Sequence, residues 1–184
     1  FDFWGKNRSA VAAATSDFAA AQAESAQAQL MISTSLAQAY AELARLYANR
    51  DTAATALDIR NKTVSLMQQR FNNGLETKGV LRQVESLRAS AEADLLSLDE
   101  SIALQKNALA ALLGKGPDRG MTISRPNVKL QQTFGLPKEA GVGLLGHRPD
   151  VTASRWRAES AAKRIGIAKA QFYPDVSLSA FIGY

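Results

Sequence analysis

The sequence predicts a mainly α-helical fold, organised as one long antiparallel helical hairpin with short β-strand ends on either side. Three observations predict it. Between Lys6 and Asn73 there is neither glycine nor proline, and a second run free of both extends from Val80 to Leu113. Large side chains recur along both runs at alternating steps of three and four, the 3.5-residue repeat of a coiled-coil seam. At ~1.5 Å per residue the first run would be a helix of roughly 100 Å. Helices in globular domains average about 11–12 residues, so no compact core needs one this long. Function is to be sought in something that spans a distance.

Taken in order, Phe1-Asp2-Phe3-Trp4 alternates aromatic and polar residues before Gly5, which fits the end of a strand. Helix is expected from about Arg8, with Ser9 near the N-cap. The seam of the first run passes through Leu36, Tyr40, Leu43 and Tyr47, then Ala54, Leu57, Val64 and Phe71, with Arg50, Asn61 and Gln68 filling the remaining positions. A second stripe through Ile32, Ile59 and Leu66 predicts a helix that touches more than one neighbour. Upstream of Leu30 the seam is mostly alanine, with Val11 and Phe18 one heptad apart, as suits close helix packing.

Gly74 stands where a left-handed C′ residue would end the first helix. Leu75-Glu76-Thr77-Lys78-Gly79 then makes a tight connection to the returning helix. That helix carries its seam at Val84, Leu87, Ala91, Leu95, Leu98, Ile102, Leu109 and Leu112. Asp58 with Lys62 and Arg82 with Glu85 are opposite charges at helical spacing and mark exposed faces. From Gly114 to His147, prolines and glycines keep the chain irregular and leave room only for short helices. Arg148-Pro149-Asp150 restarts a helix, with Pro at the first helical position and an acid at the positive end of the dipole. It ends before Pro174. Val176 to Tyr184 alternates strictly, behind Phe172 and Tyr173. A membrane-barrel strand behind an aromatic girdle and an edge strand of a soluble domain both show that pattern.

Hydrophobic residues make up 46% of the chain, but much of that share is alanine, which favours helix and buries little area. The formal net charge is +5, which would permit a nucleic-acid or anionic-membrane partner. The excess is spread out except for Arg148, Arg155, Arg157, Lys163, Arg164 and Lys169. Glu159 interrupts this basic helix, and alanines fill the face where base-reading side chains would sit. A solvated face with snorkelling stems is the simpler reading, and nucleic acid is not expected. No apolar stretch approaches the ~20 residues of a transmembrane helix. The chain opens on Phe1 with no signal-like region, so it reads as a segment of something larger.

Chemistry is sparse. There is no cysteine and a single histidine, His147, in a glycine-rich loop without clustered carboxylates, so no metal or other cofactor is expected. No phosphate-cradling glycine loop follows a strand, and no Ser/His/Asp constellation can be assembled on such helices. The sequence predicts no enzyme.

The order of parts resembles a specific family. A strand end (FDFWGK), a very long helix, an RFNNGL tip, a shorter helix ending at Leu109-Ala110-Ala111-Leu112-Leu113-Gly114, an irregular stretch, and then LLGHRPDVTASRWRAESA…IGIAKAQFYPDVSLSAFIG follow one another. This arrangement is similar to the outer-membrane factor family, the exit ducts of tripartite drug-efflux pumps in Gram-negative bacteria. Leu145 to Gly183 is the most specific part, and Arg70 to Leu75 the second match.

The resemblance implies a homotrimer whose protomers give strands to one barrel in outer-membrane lipid and helices to a tube crossing the periplasm. Residues 1–5 would end a barrel strand, 6–113 form the hairpin with its tip at 72–79, and 114–147 form an irregular equatorial region. Residues 148–173 would return to the membrane, and 174–184 begin the next strand. The implied function is passive conduction, driven by an inner-membrane transporter joined to the duct by a periplasmic adaptor. Carried over by position, Arg70, Asn73, Gly74, Leu75 and Thr77 would meet that adaptor. The chemistry of these residues agrees: Leu75 is apolar at a turn, Gly74 permits close backbone approach, and Arg70 offers a fork of donors. The local alternative makes Gly74 only a C-cap and Leu75 only its hydrophobic contact. Many members carry an Asp shortly after the tip that helps lock the tube; here the region reads Lys78-Gly79-Val80, so no closing ion pair is expected from this hairpin. The competing functional class is a periplasmic adaptor or scaffold hairpin without a membrane strand.

Overall fold

A computed structural model describes residues 2–127, 146–174 and 180–183. It is mainly helical. Helix α1 runs from Lys6 to Asn72 without interruption, α2 spans Lys78–Leu112, α3 is the short Pro117–Met121, and α4 spans Pro149–Ala170. The 67 residues of α1 correspond to about 100 Å of helix. The chain divides into two compact units, one made of Phe1–Met31 with Phe134–Tyr184 and the other of Ile32–Thr133, so α1 belongs to both.

In the first unit, α1 begins earlier than its sequence suggests. The Asp2 carboxylate accepts hydrogen bonds from the backbone N–H groups of Asn7 and Arg8, both at 3.0 Å. It thereby satisfies donors that a helix start otherwise leaves unpaired, the role expected near Ser9. These backbone donors hold the Asp2 carboxyl below its ordinary range. The strand end expected over 1–5 is not formed by the described residues 2–5, where Phe3 and Trp4 lie in a turn and Gly5 adopts φ +72°. A strand must trade backbone hydrogen bonds with a neighbour, and no strand occurs among the described residues. Most of the alternating segment expected at 176–184 lies outside the described residues.

Within the same unit, α4 lies antiparallel to the first part of α1. The partners run in reverse order: Trp4 with Tyr173, Asp17 with Arg164 at 2.8 Å, and Glu24 with Arg157. Ala13, Ser16 and Ala20 on α1 are buried, as are Ala153, Ser160 and Ala170 on α4. A Cβ on Gly166 would stand 3.0 Å from Ser9 Oγ, so the glycine permits this close approach. The nearby Ser160 hydroxyl, followed by the Arg164 guanidinium, holds the Asp17 carboxyl below its ordinary range. Ser160 Oγ itself is buried without a well-aligned hydrogen-bond partner. The Trp4 ring stacks on Tyr173 with centroids 4.3 Å apart, and its Nε1 donates to the Pro174 carbonyl at 3.2 Å.

In the second unit, the rest of α1 pairs antiparallel with α2. Gln105 Nε2 donates to the Ala39 carbonyl at 2.9 Å, and Arg50 grips Asp99 through Nε and Nη2 at 2.5 and 3.3 Å. Leu43, Leu46, Ile102 and Leu109 form the core, with Leu36, Ala39, Tyr47, Leu98 and Ile123 packed on it. The seam thus follows Leu36, Ala39, Leu43 and Leu46, whereas the expected Tyr40 is exposed. Ala39 is small enough for the helices to close on it, and a tyrosine there would hold them apart. Leu87 and Leu112, also expected in the seam, are exposed, while Leu81 and Ala110 are buried instead. Ile32, Ile59 and Leu66, the second stripe, are each more than half exposed on the single chain.

Gly114 ends α2 in the left-handed region at φ +66°. Short α3 then docks on α2 through Gly120, where a Cβ would lie 2.6 Å from Asn107 Oδ1 and 3.1 Å from the Lys106 carbonyl oxygen. The chain after α3 is fastened to α1: Ile123 joins the core, and Arg125 meets Asp51 at 2.6 and 3.2 Å with its guanidinium 5.4 Å from the Tyr47 ring centroid.

Candidate functional site

The turn between α1 and α2 is built almost wholly from backbone chemistry. The Gly74 N–H donates to the Phe71 carbonyl at 2.9 Å, and the Leu75 N–H to the Arg70 carbonyl at 2.8 Å. This paired pattern is a Schellman motif, which satisfies the carbonyls left over at a helix end. It requires the left-handed φ of +72° seen at Gly74, and a Cβ added there would meet nothing within 4 Å. The backbone conformation alone therefore demands glycine. On the far side, Thr77 is the N-cap of α2, its Oγ1 accepting from the Val80 N–H at 3.4 Å.

Each of the five tip residues expected from the sequence has a defined place. Arg70 lies in the last turn of α1, Asn73 is the exposed residue between α1 and Gly74, and Thr77 opens α2. Leu75 is 66% exposed. In a Schellman motif the residue after the glycine often packs on an apolar side chain in the last turns of the helix. Here those positions are Gln69 and Arg70, both polar. The side chain stands largely out in solvent.

Glu76 joins these five residues without having been expected from the sequence. Its Oε1 is 3.2 Å from Arg70 Nη2, so the two close an ion pair over the turn. Opposite charges six residues apart on either side of a Gly-centred helix break were the available signal. Elsewhere, the basic cluster on α4 is partly neutralised: Arg148 pairs with Asp150, Arg157 with Glu24 and Arg164 with Asp17. His147 is exposed. No group of three His, Cys, Asp or Glu side chains able to hold a metal occurs among the described residues. An apolar groove of about 420 Å³ opens on the second unit, lined in part by Leu36, Tyr40, Leu113 and Ile123. Among the described residues, no helix is long and apolar enough to cross a membrane.

The family described as outer membrane efflux protein matches residues 1–115. The chain is 36% identical over 182 residues to the fusaric acid resistance protein FusA of Burkholderia cepacia, covering 99% of the chain and 34% of that protein. It is 31% identical to the multidrug resistance outer membrane protein MdtP of Escherichia coli K12, again over 99% of the chain and 37% of the relative. The crystal structure of the outer membrane protein VceC from the bacterial pathogen Vibrio cholerae superposes with a TM-score of 0.83 at 61% identity. That match covers 94% of this chain and 40% of VceC. The chain therefore spans little more than a third of the length of these relatives.

Proposed function

Because the chain belongs to the outer membrane efflux protein family, we propose that the full protein is the outer-membrane exit duct of a tripartite efflux system. In this reading three copies assemble. Each gives strands to a shared barrel in outer-membrane lipid and helices to a tube through the periplasm, where most of this segment lies. The duct is passive, and its cargo is the class of small toxic compounds that its resistance relatives are named for. An inner-membrane transporter supplies the energy, and a periplasmic adaptor joins the two by docking on the hairpin tip.

The observation that carries this reading is the tip itself: an exposed leucine held beyond a rigid helix end, on a helix of 67 residues without a break. Exposed Ile32, Ile59 and Leu66, together with the apolar groove, agree with neighbouring copies covering the outside of the hairpin. A duct needs stiffness and a route, not reactive groups. Stiffness comes from the uninterrupted α1 and from the clamp of Arg125 on Asp51 and Tyr47.

Leu75→Asp tests the docking surface. Burying a leucine in a partner groove contributes about 1.5–3 kcal/mol, and a carboxylate in its place adds a desolvation cost. Adaptor affinity of the full-length protein should fall at least about tenfold, and cells relying on the pump should become drug-sensitive while keeping normal amounts of trimer. Unchanged affinity together with unchanged resistance would show that the tip is not the docking site.

A further inference from the structure

The five tip residues do not share one task. We propose that Arg70 and Glu76 form an internal clip that positions the tip, and that Arg70 is a positioning residue and not a donor to the partner. This rests on the reading of the tip as a docking surface and assigns the contact itself to Gly74 and Leu75.

Geometry carries the assignment. Arg70 is bound into the turn twice, its carbonyl accepting from the Leu75 N–H at 2.8 Å and its guanidinium lying 3.2 Å from the Glu76 carboxylate. Glu76 retains only 23% side-chain exposure, against 47% for Arg70, so the carboxylate is the more buried partner of the pair. Leu75, immediately before Glu76, is the apolar residue that the clip leaves outside.

The helix ends favour the same arrangement. Arg70 is the basic residue in the last turn of α1, where a cation complements the negative end of the dipole. The first turn of α2 contains no acidic residue, and Glu76 precedes its N-cap, where a carboxylate faces the positive end. A partner that required the Arg70 fork would have to break the pair and disturb both placements. A partner that takes Leu75 finds it already presented, with less ordering to be done on binding.

The test uses the full-length protein in detergent, its cognate adaptor, and binding measured at two salt concentrations. Glu76→Gln should weaken binding about two- to fivefold, the scale of an exposed ion pair, and the deficit should shrink at high salt as the pair is screened. Arg70→Glu places two carboxylates face to face and should weaken binding further. The exchange Arg70→Glu/Glu76→Arg rebuilds the pair against the helix dipoles, so it should bind at least about twofold more tightly than Arg70→Glu alone, short of full recovery. If the exchange binds no better than Arg70→Glu, the guanidinium contacts the partner directly and the clip is refuted. Wild-type affinity for Glu76→Gln refutes it as well. Loss of the docking reading would look different, because Leu75→Asp would then also bind normally. Trimer content and helical circular dichroism of each variant separate positioning from misfolding.

Discussion

Gly74→Ala isolates the cost of one backbone angle. At φ +72° an L-residue crowds its Cβ against its own backbone, a strain of about 1–2 kcal/mol. Nothing lies within 4 Å of the added Cβ, so no packing clash contributes. Alanine also loses less freedom on folding than glycine, which returns roughly 0.4–1 kcal/mol. The net penalty is about 1 kcal/mol, comparable to one of the two turn hydrogen bonds donated by Gly74 and Leu75. The tip can therefore relieve the strain by opening. Native-state hydrogen exchange at the Leu75 amide should accelerate about fivefold, with amides in the core stretch around Leu43 unchanged. Gly74→Asn should fall between glycine and alanine, because asparagine tolerates the left-handed region. Gly74→Val should be worst. An asparagine variant no better than alanine, or exchange at Leu75 unaffected by all three, would refute the reasoning, since only the φ requirement orders the series this way.

Two other outcomes follow from the described contacts. Gly120→Ala has no φ problem but drives a Cβ to 2.6 Å from Asn107 Oδ1 and 3.1 Å from a backbone oxygen, so α3 should lift from α2 at a cost of about 1–3 kcal/mol, read as a lower thermal midpoint of the intact protein. Acid should also destabilise the protein. Asp2, Asp17, Asp51 and Asp150 all have folded-state pKa values below their ordinary 3.8, each held down by hydrogen bonds or a nearby arginine. Their contribution is complete above that value, drains as the unfolded chain begins to take up protons near it, and is lost below the folded values. The thermal midpoint should hold from pH 7 to about 5 and fall below pH 3.8; a midpoint that rose there would contradict the sign.

Much of this was legible in the chain because its signals are local. Freedom from glycine and proline marked the bodies of α1 and α2, although α2 starts at Lys78 and takes in Gly79, and Gly74 marked the break between them, since each depends on residues near in sequence. What escaped depends on distant partners. Side-chain size decides whether Ala39 or Tyr40 faces α2, and that is settled only when the helices meet. The pairing of α1 with α4 rests on Ala13, Ser16, Ala20, Ala153 and Ser160, whose small side chains carry almost no hydrophobic pattern. Phe1 to Gly5 alternates like a strand, yet a strand exists only beside another, and among the described residues Asp2 serves the helix instead. At the tip, the five residues expected from the sequence were placed by analogy of position. Glu76 needed the turn to be closed before its link to Arg70 could be seen.

The division of α1 between two units has a consequence for the order of folding. Its second part meets α2 across modest loops, with Arg50 and Asp99 separated by 49 positions. Its first part must wait for α4, since Asp17 and Arg164 are 147 positions apart. Loop closure becomes more costly as the separation grows, so the hairpin should zip from the Gly74 turn outward while the amino-terminal half of α1 stays single. Until α4 has been made, that half leaves open the face of Ala13, Ser16 and Ala20, which is buried once the two helices pair, and a chaperone able to hold an alanine-rich helix would find its substrate there.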